Sequence, residues 1–201
     1  MAWHCCIVRA IAASLLQGSE LYREVIRDKL AHARESVLIA TSNLKDLQVE
    51  REGRFASVLA LFSELAGRGV ELRILHAELP SRPFRASFEK RRRLTAGGLS
   101  LKMCPRVHFK AVLVDDAWAY VGSANFTGAG LGARGEGKRN FELGLCTEDF
   151  EIVDRVKALF EAVWTGAECA PCRLRSVCPD PIGEPETRPL VRLGRARRLR
   201  R

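Results

Sequence analysis

Apolar residues recur along the chain with two periods, and their alternation outlines an α/β protein. In residues 20–35, Leu21, Val25, Leu30 and Ala33 fall near one helical face with charges opposite, the spacing of an amphipathic helix. Ser19 is placed to cap it. Residues 36–40, Ser-Val-Leu-Ile-Ala, are a short apolar run of the kind that forms a buried strand. Residues 54–68 return to helical spacing, with Phe55, Leu59, Phe62 and Leu65 in register and Gly69 as the stop. Residues 70–76 alternate as a strand. Strand, helix, strand in this order favours an α/β fold with a crossover connection.

The second half continues the pattern. Residues 78–96 hold Pro80 and Pro83 and read as a loop followed by a short basic helix. Residues 99–104, 107–115, 117–121 and 140–146 have strand character, with a tight turn at Asp115–Asp116. Residues 128–138 carry five glycines and read as a loop. Residues 149–164 predict an amphipathic helix with Phe150, Val153, Val156, Phe160 and Val163 near one face. After Gly166 the composition turns to Cys, Pro and Arg. The chain thus divides into an N-terminal extension (1–18), a main domain (19–166) and a Cys- and Arg-rich tail (167–201), without internal repeats. The expected architecture is a mixed β-sheet flanked by helices, an α/β/α sandwich with a short appendage.

Composition sharpens this picture. The 201 residues are 47% apolar with 16 glycines, which excludes a disordered or collagen-like chain and suits one domain with a real core. The formal charge of +9 is unevenly placed. Residues 82–110 carry nine basic side chains against one acid, and residues 181–201 carry seven arginines against two glutamates. The remainder is therefore mildly acidic, and the basic excess marks two places where an anionic partner would be drawn. No apolar run approaches the roughly 20 residues of a membrane span, so no transmembrane segment is expected. The start of the chain lacks a basic leader, and Arg9 interrupts its apolar stretch. The seven cysteines are odd in number and unevenly spaced, unlike a secreted disulfide framework. A cytoplasmic location is expected.

Candidate chemistry concentrates in His108-Phe109-Lys110, Asp115 and Gly122-Ser123-Ala124-Asn125-Phe126-Thr127. Two residues apart on a strand, His108 and Lys110 face the same way. Imidazole can attack phosphorus or carry a proton near neutral pH, and an ammonium beside it steadies phosphate oxygens. Gly122 would let backbone approach a ligand, and Ser123 and Asn125 add short polar groups. Together they read as a phosphate cradle with a nucleophile.

The spacing His108-x-Lys110, four residues, Asp115, six residues, Gly122-Ser123-x-Asn125 resembles the signature of the phospholipase D superfamily, most closely its small single-motif bacterial nucleases. Six fixed positions coincide by chance about once in 10⁸ starts, at roughly one in twenty per position. Asn140-Phe141-Glu142 resembles the family's downstream Asn-x-Glu strand. The resemblance extends over residues 21–164. It implies a covalent phosphohistidine, catalysis by His108, Lys110, Asn125 and Glu142, and support from Asp115, Gly122, Ser123 and Asn140, with Glu142 orienting a histidine and no metal in the reaction. The chain holds one His-x-Lys, whereas two histidines are needed: one attacks, the other protonates the leaving oxygen. A homodimer with a shared site is therefore expected.

Three kinds of function remain in view. A nuclease is favoured by the basic run Arg85, Lys90, Arg91, Arg92 and Arg93, interleaved with Phe84 and Phe88, which suits phosphate contacts and base stacking. A lipid phosphodiesterase would need apolar membrane-contacting loops beside the site. A non-catalytic nucleic-acid-binding module would have no use for the complete His-Lys-Asn set.

The tail adds Cys169-x2-Cys172-x5-Cys178, a spacing suited to metal ligation. It is similar to the C-terminal cysteine cluster of RecB-like iron–sulfur nucleases. An iron–sulfur cluster or zinc is expected there, with Cys146 or Cys104 as fourth ligand.

Overall fold

The structure is a computed structural model that describes residues 10–51 and 53–182. The strands are β1 (Ser14–Gln17), β2 (Ser36–Thr41), β3 (Gln48–Arg51), β4 (Arg54–Ser57), β5 (Glu71–His76), β6 (Ser100–Met103), β7 (Lys110–Val114), β8 (Trp118–Gly122) and β9 (Leu143–Thr147). Seven of them form one sheet in the order β1-β9-β8-β7-β2-β5-β6. β2, β5 and β6 run parallel, and every pairing from β2 through β7, β8 and β9 to β1 is antiparallel. The sheet is therefore mixed, as expected.

Helices cover both faces. On one side lie α1 (Ser19–Leu21) with its continuation Tyr22–Lys29, α2 (Val58–Gly67) and α3 (Arg82–Glu89). Their buried Leu21, Ile26, Phe62 and Phe84 meet Val37, Ile39, Val112 and Tyr120 of the sheet in the larger core. On the other side α4 (Phe150–Trp164) sets Val153 and Phe160 on Leu38, Leu113 and Ala119. Asp149 starts α4 by accepting the Ile152 amide at 3.2 Å, a normal N-cap.

The structure changes several sequence expectations. Residues 54–57 are not the start of a helix but strand β4, hydrogen-bonded to β3 in a hairpin, and Phe55 is exposed. The helix begins at Val58, because Ser57 Oγ accepts the Leu59 amide at 3.1 Å and caps the first turn. Ser19 does not cap α1: Gly18 precedes the helix with a positive φ, and Glu20 instead accepts the Gln17 amide at 3.0 Å. Within the expected extension 1–18, Ser14–Gln17 is an integral strand that pairs with β9 along its full length. The expected boundary at residue 18 thus separates a strand from its own sheet. Phe150, expected on the packed face of α4, is exposed.

The beginning of the tail is not a loose appendage. Asp180 Oδ2 accepts the Met103 amide at 3.1 Å, and Ile182 is buried against Gly166. The arginine-rich stretch 183–201 lies outside the described residues. Among the described residues no helix is long and apolar enough to cross a membrane.

Candidate active site

The strand register gathers the expected site at one end of the sheet. Lys110 pairs with Gly122, and Gly122 pairs with Gly144. Ala111 pairs with Ala40, so Thr41 at the end of β2 belongs to the same edge. His108 precedes β7 by two residues and is exposed. Phe109 points into the core under α4, which turns its neighbours His108 and Lys110 to the opposite face. Ser42 Oγ donates to the Val107 carbonyl at 3.2 Å and anchors the approach to His108. The Lys110 ammonium donates to the His108 carbonyl at 2.7 Å. The His108 imidazole makes no hydrogen bond to a described residue, which leaves both ring nitrogens available.

Asn125 is held from behind. Ala124 and Phe126 on either side of it are buried, and Phe126 stacks on Phe62 of α2 with centroids 6.0 Å apart. The Asn125 Oδ1 accepts from the Ser42 and Asn43 amides at 3.1 Å each and from Thr41 Oγ1 at 3.2 Å. With its oxygen committed to β2 and the turn after it, the amide nitrogen remains as the donor for an anion. The sequence reading missed Thr41, Ser42 and Asn43. The only sequence signal was a polar triplet directly after an apolar strand.

Glu142 lies just before β9. Its oxygens accept from Ser123 Oγ and, at 3.1 Å, from Asn140 Nδ2. Ser123 Oγ also accepts the Leu143 amide at 3.1 Å. Ser123, Asn140 and Glu142 therefore form one network. Among the described residues it includes no histidine.

Asp115 sits at the far end of β7. Its carboxylate accepts the amides of Arg34, Glu35 and Ser36 at 2.8–3.0 Å. It closes the entry to β2 and does not reach the His108 end of the strand.

Gly122 answers to packing. A Cβ there would stand 2.4 Å from Tyr120 Oη and 2.6 Å from the Leu143 carbonyl, so glycine is required by Tyr120 and by β9. The Tyr120 hydroxyl is buried. Burial pushes it up to about 12; the Ala124 backbone amide opposes this without reaching hydrogen-bond geometry.

The basic run divides. Arg85 Nε donates to the Pro80 carbonyl at 3.1 Å, and Arg91 Nη1 donates to Ser87 at 2.6 Å. Arg93 Nη1 donates to the Ser63 carbonyl at 3.0 Å and lies over Gly67 of α2. Lys90 and Arg92 are exposed. Phe84 is fully buried and Phe88 packs on the same core. These rings are core residues, which corrects their expected role in base stacking.

Of the cysteines, Cys146 is buried within the sheet, opposite Ser14 and Tyr120, and is not gathered with the tail cysteines. Cys104 is: it lines one cavity with Cys169, Cys172 and Cys178. Among the described residues no three His, Cys, Asp or Glu side chains stand in ready metal-holding geometry.

With this geometry in place, comparison with known proteins defines the class. Residues 26–164 match the family model for the cardiolipin synthase, PLD-like domain. The chain belongs to the phospholipase D-like family, whose members are in general phosphodiester hydrolases. Its fold is similar to NucT from Helicobacter pylori, with 18% identity, TM-score 0.54, and coverage of 76% of this chain and 94% of that one. It is also similar to Nuc from Salmonella typhimurium, a phospholipase D family member, with 16% identity, TM-score 0.53, and coverage of 76% and 95%. A third similar fold is TrmBL2, an archaeal chromatin protein, with 16% identity, TM-score 0.52, and coverage of 80% and 55%. No curated protein matches the chain.

Proposed function

We propose that the protein hydrolyses nucleic-acid phosphodiesters through a covalent phosphohistidine, in a site completed by a second copy of the chain. The observation that carries this reading is the sheet edge that gathers an exposed His108, the Lys110 ammonium on the His108 carbonyl and the tethered Asn125 amide. His108 attacks phosphorus, the N–P bond forms and the P–O bond to the leaving group breaks. The imidazole of the second copy gives its proton to the leaving oxygen. Water then attacks the phosphohistidine, losing its proton to that second imidazole, and the N–P bond breaks. Lys110 and Asn125 steady the charge on the phosphoryl oxygens in both steps.

An uncovered apolar strip supports the second copy. Leu15, Val121, Leu143 and Leu145 are exposed on the face of β1, β8 and β9 that α4 leaves open, and Phe141 is fully exposed next to them. Leu15 pairs with Leu145 and Leu145 with Val121, so these side chains form a continuous row. It adjoins Gly122 and Glu142 at the same end of the sheet as His108, on the opposite face from the His108 and Lys110 side chains. An exposed apolar row of this kind suits burial against a partner. Phe141 beside Glu142 also favours a lipid reading, since an exposed ring at the site's rim suits a membrane surface. Exposed Lys90 and Arg92 favour nucleic acid.

The test is cleavage of single-stranded DNA, duplex DNA, RNA and phosphatidylcholine in EDTA, with wild type beside His108→Ala. Cleavage of nucleic acid, abolished in the variant, is expected. Hydrolysis of lipid alone would overturn the substrate class. Nucleic-acid binding without cleavage would replace the enzyme with a binding module, and full activity of His108→Ala would overturn the mechanism.

A further inference from the structure

The four cysteines that line one cavity come from distant parts of the chain. Cys104 follows β6, while Cys169, Cys172 and Cys178 arrive on the folded-back tail. The packing of Asp180 on Met103 and of Ile182 on Gly166 holds that tail in place independently of the thiols. The cavity measures ≈ 20 Å³, room for one water-sized sphere or a single ion. Arg106 lines the same cavity, and the Arg175 amide donates to the Cys172 carbonyl at 3.1 Å, which turns the chain back after the Cys-x2-Cys pair. A guanidinium at the cavity wall suits sulfur donors that bind a metal as thiolates.

We propose that Cys104, Cys169, Cys172 and Cys178 bind one Zn²⁺ as a tetrathiolate. Four sulfur donors, two of them in a Cys-x2-Cys chelate, match the closed tetrahedral set of structural zinc. The thiols line the cavity without yet forming a closed shell, so binding requires their side chains to rotate inward. Arg106 offsets part of the charge of the four thiolates. The site ties the tail to Cys104, four residues before His108, and so fixes the segment that presents the imidazole. This inference stands apart from the phosphodiesterase reading, because an inactive protein must bind the metal equally well.

The full chain, purified without added metal, is assayed for zinc by elemental analysis and, after exchange, for Co²⁺ by absorption. About one zinc per chain and the intense thiolate-to-cobalt bands of a tetrahedral site are expected. Cys104→Ser and Cys172→Ser should each weaken zinc binding by at least about 100-fold, while Cys146→Ser binds as wild type. If the variants misfold, alkylation of the unmutated chain gives the answer: a chelator should expose these four thiols together. Absence of zinc after titration, iron with acid-labile sulfide, a disulfide among the four, or loss of zinc in Cys146→Ser with retention in Cys104→Ser would each overturn the proposal.

Discussion

The Tyr120 ring lies directly over Gly144: a Cβ on that glycine would stand 2.2 Å from Cε2. Gly122, its cross-strand partner, is blocked by the same tyrosine. One aromatic side chain thus demands two glycines in the row that carries Lys110. Gly144→Ala should destabilise the fold by about 1–3 kcal/mol through overpacking, lowering Tm by roughly 2–4 °C per kcal/mol. Thermal melts of Gly144→Ala and of Gly144→Ala with Tyr120→Phe check this. The double variant should remain destabilised, because the ring itself is the obstacle.

Asn125 has a structural task and, on the proposed reading, a catalytic one, and the two can be separated. Asn125→Ala removes the acceptor of the Ser42 and Asn43 amides and should cost about 1–3 kcal/mol of stability. Asn125→Asp keeps the acceptor but places an anion against the substrate. It should melt near wild type and lose about 10²-fold or more in turnover. Melting curves alongside turnover rates check both.

Asp115→Ala leaves the Arg34, Glu35 and Ser36 amides without their carboxylate. A loss of about 1.5–3 kcal/mol is expected from charge-assisted bonds of this kind. Turnover per folded molecule should be unchanged, since the carboxylate lies at the opposite end of β7. Urea unfolding together with active-site titration separates the two effects.

Leu145→Lys places a charge in the exposed apolar row. The folded chain should tolerate it within about 0.5 kcal/mol, as exposed positions do. Sedimentation should find a monomer, with activity lost alongside. A dimeric, active Leu145→Lys would remove this strip from the interface.

Burial pushes the His76 imidazole below its ordinary value, against the hydrogen bond of its Nδ1 with the Glu78 carbonyl and the charge of Asp180. Below about pH 6.5 the unfolded chain takes up a proton that folded His76 resists. Stability is therefore lost as pH falls through that value. His76→Asn should flatten the Tm profile between about pH 7 and pH 5, measured as the slope rather than the absolute Tm.

Much of this was legible in the chain. The β2 and β5 strands, the α2 crossover and α4 follow from periodicity, because the helices each set an apolar stripe on one face of the sheet and the strands are buried on both. The β3–β4 hairpin was hidden: Phe55 keeps helical spacing with Leu59, yet its neighbours pair across strands and Ser57 captures the first helical turn. β1 was missed because four residues leave too little pattern, and its partner β9 is 126 residues further along the chain from Gln17 to Leu143. The order His108, Lys110, Asn125 was visible as spacing. The tether of Asn125 to residues 41–43 was not, since sequence does not reveal which strand end meets which turn. The aromatics of the basic run misled for a physical reason: Phe84 and Phe88 turn inward to the core, and several of the arginines around them bind nearby carbonyls.

The Lys110 ammonium rests on an uncharged acceptor, the carbonyl of His108. Any ligand that enters must take it from that carbonyl. A diester anion makes the exchange favourable, because its oxygens attract a cation far more strongly than an amide oxygen does. A neutral analogue of the same shape, such as a methylphosphonate, gains almost nothing by it. On the proposed nuclease reading such a site selects by formal charge before it selects by shape, and methylphosphonate linkages should be left standing within the strands it cuts.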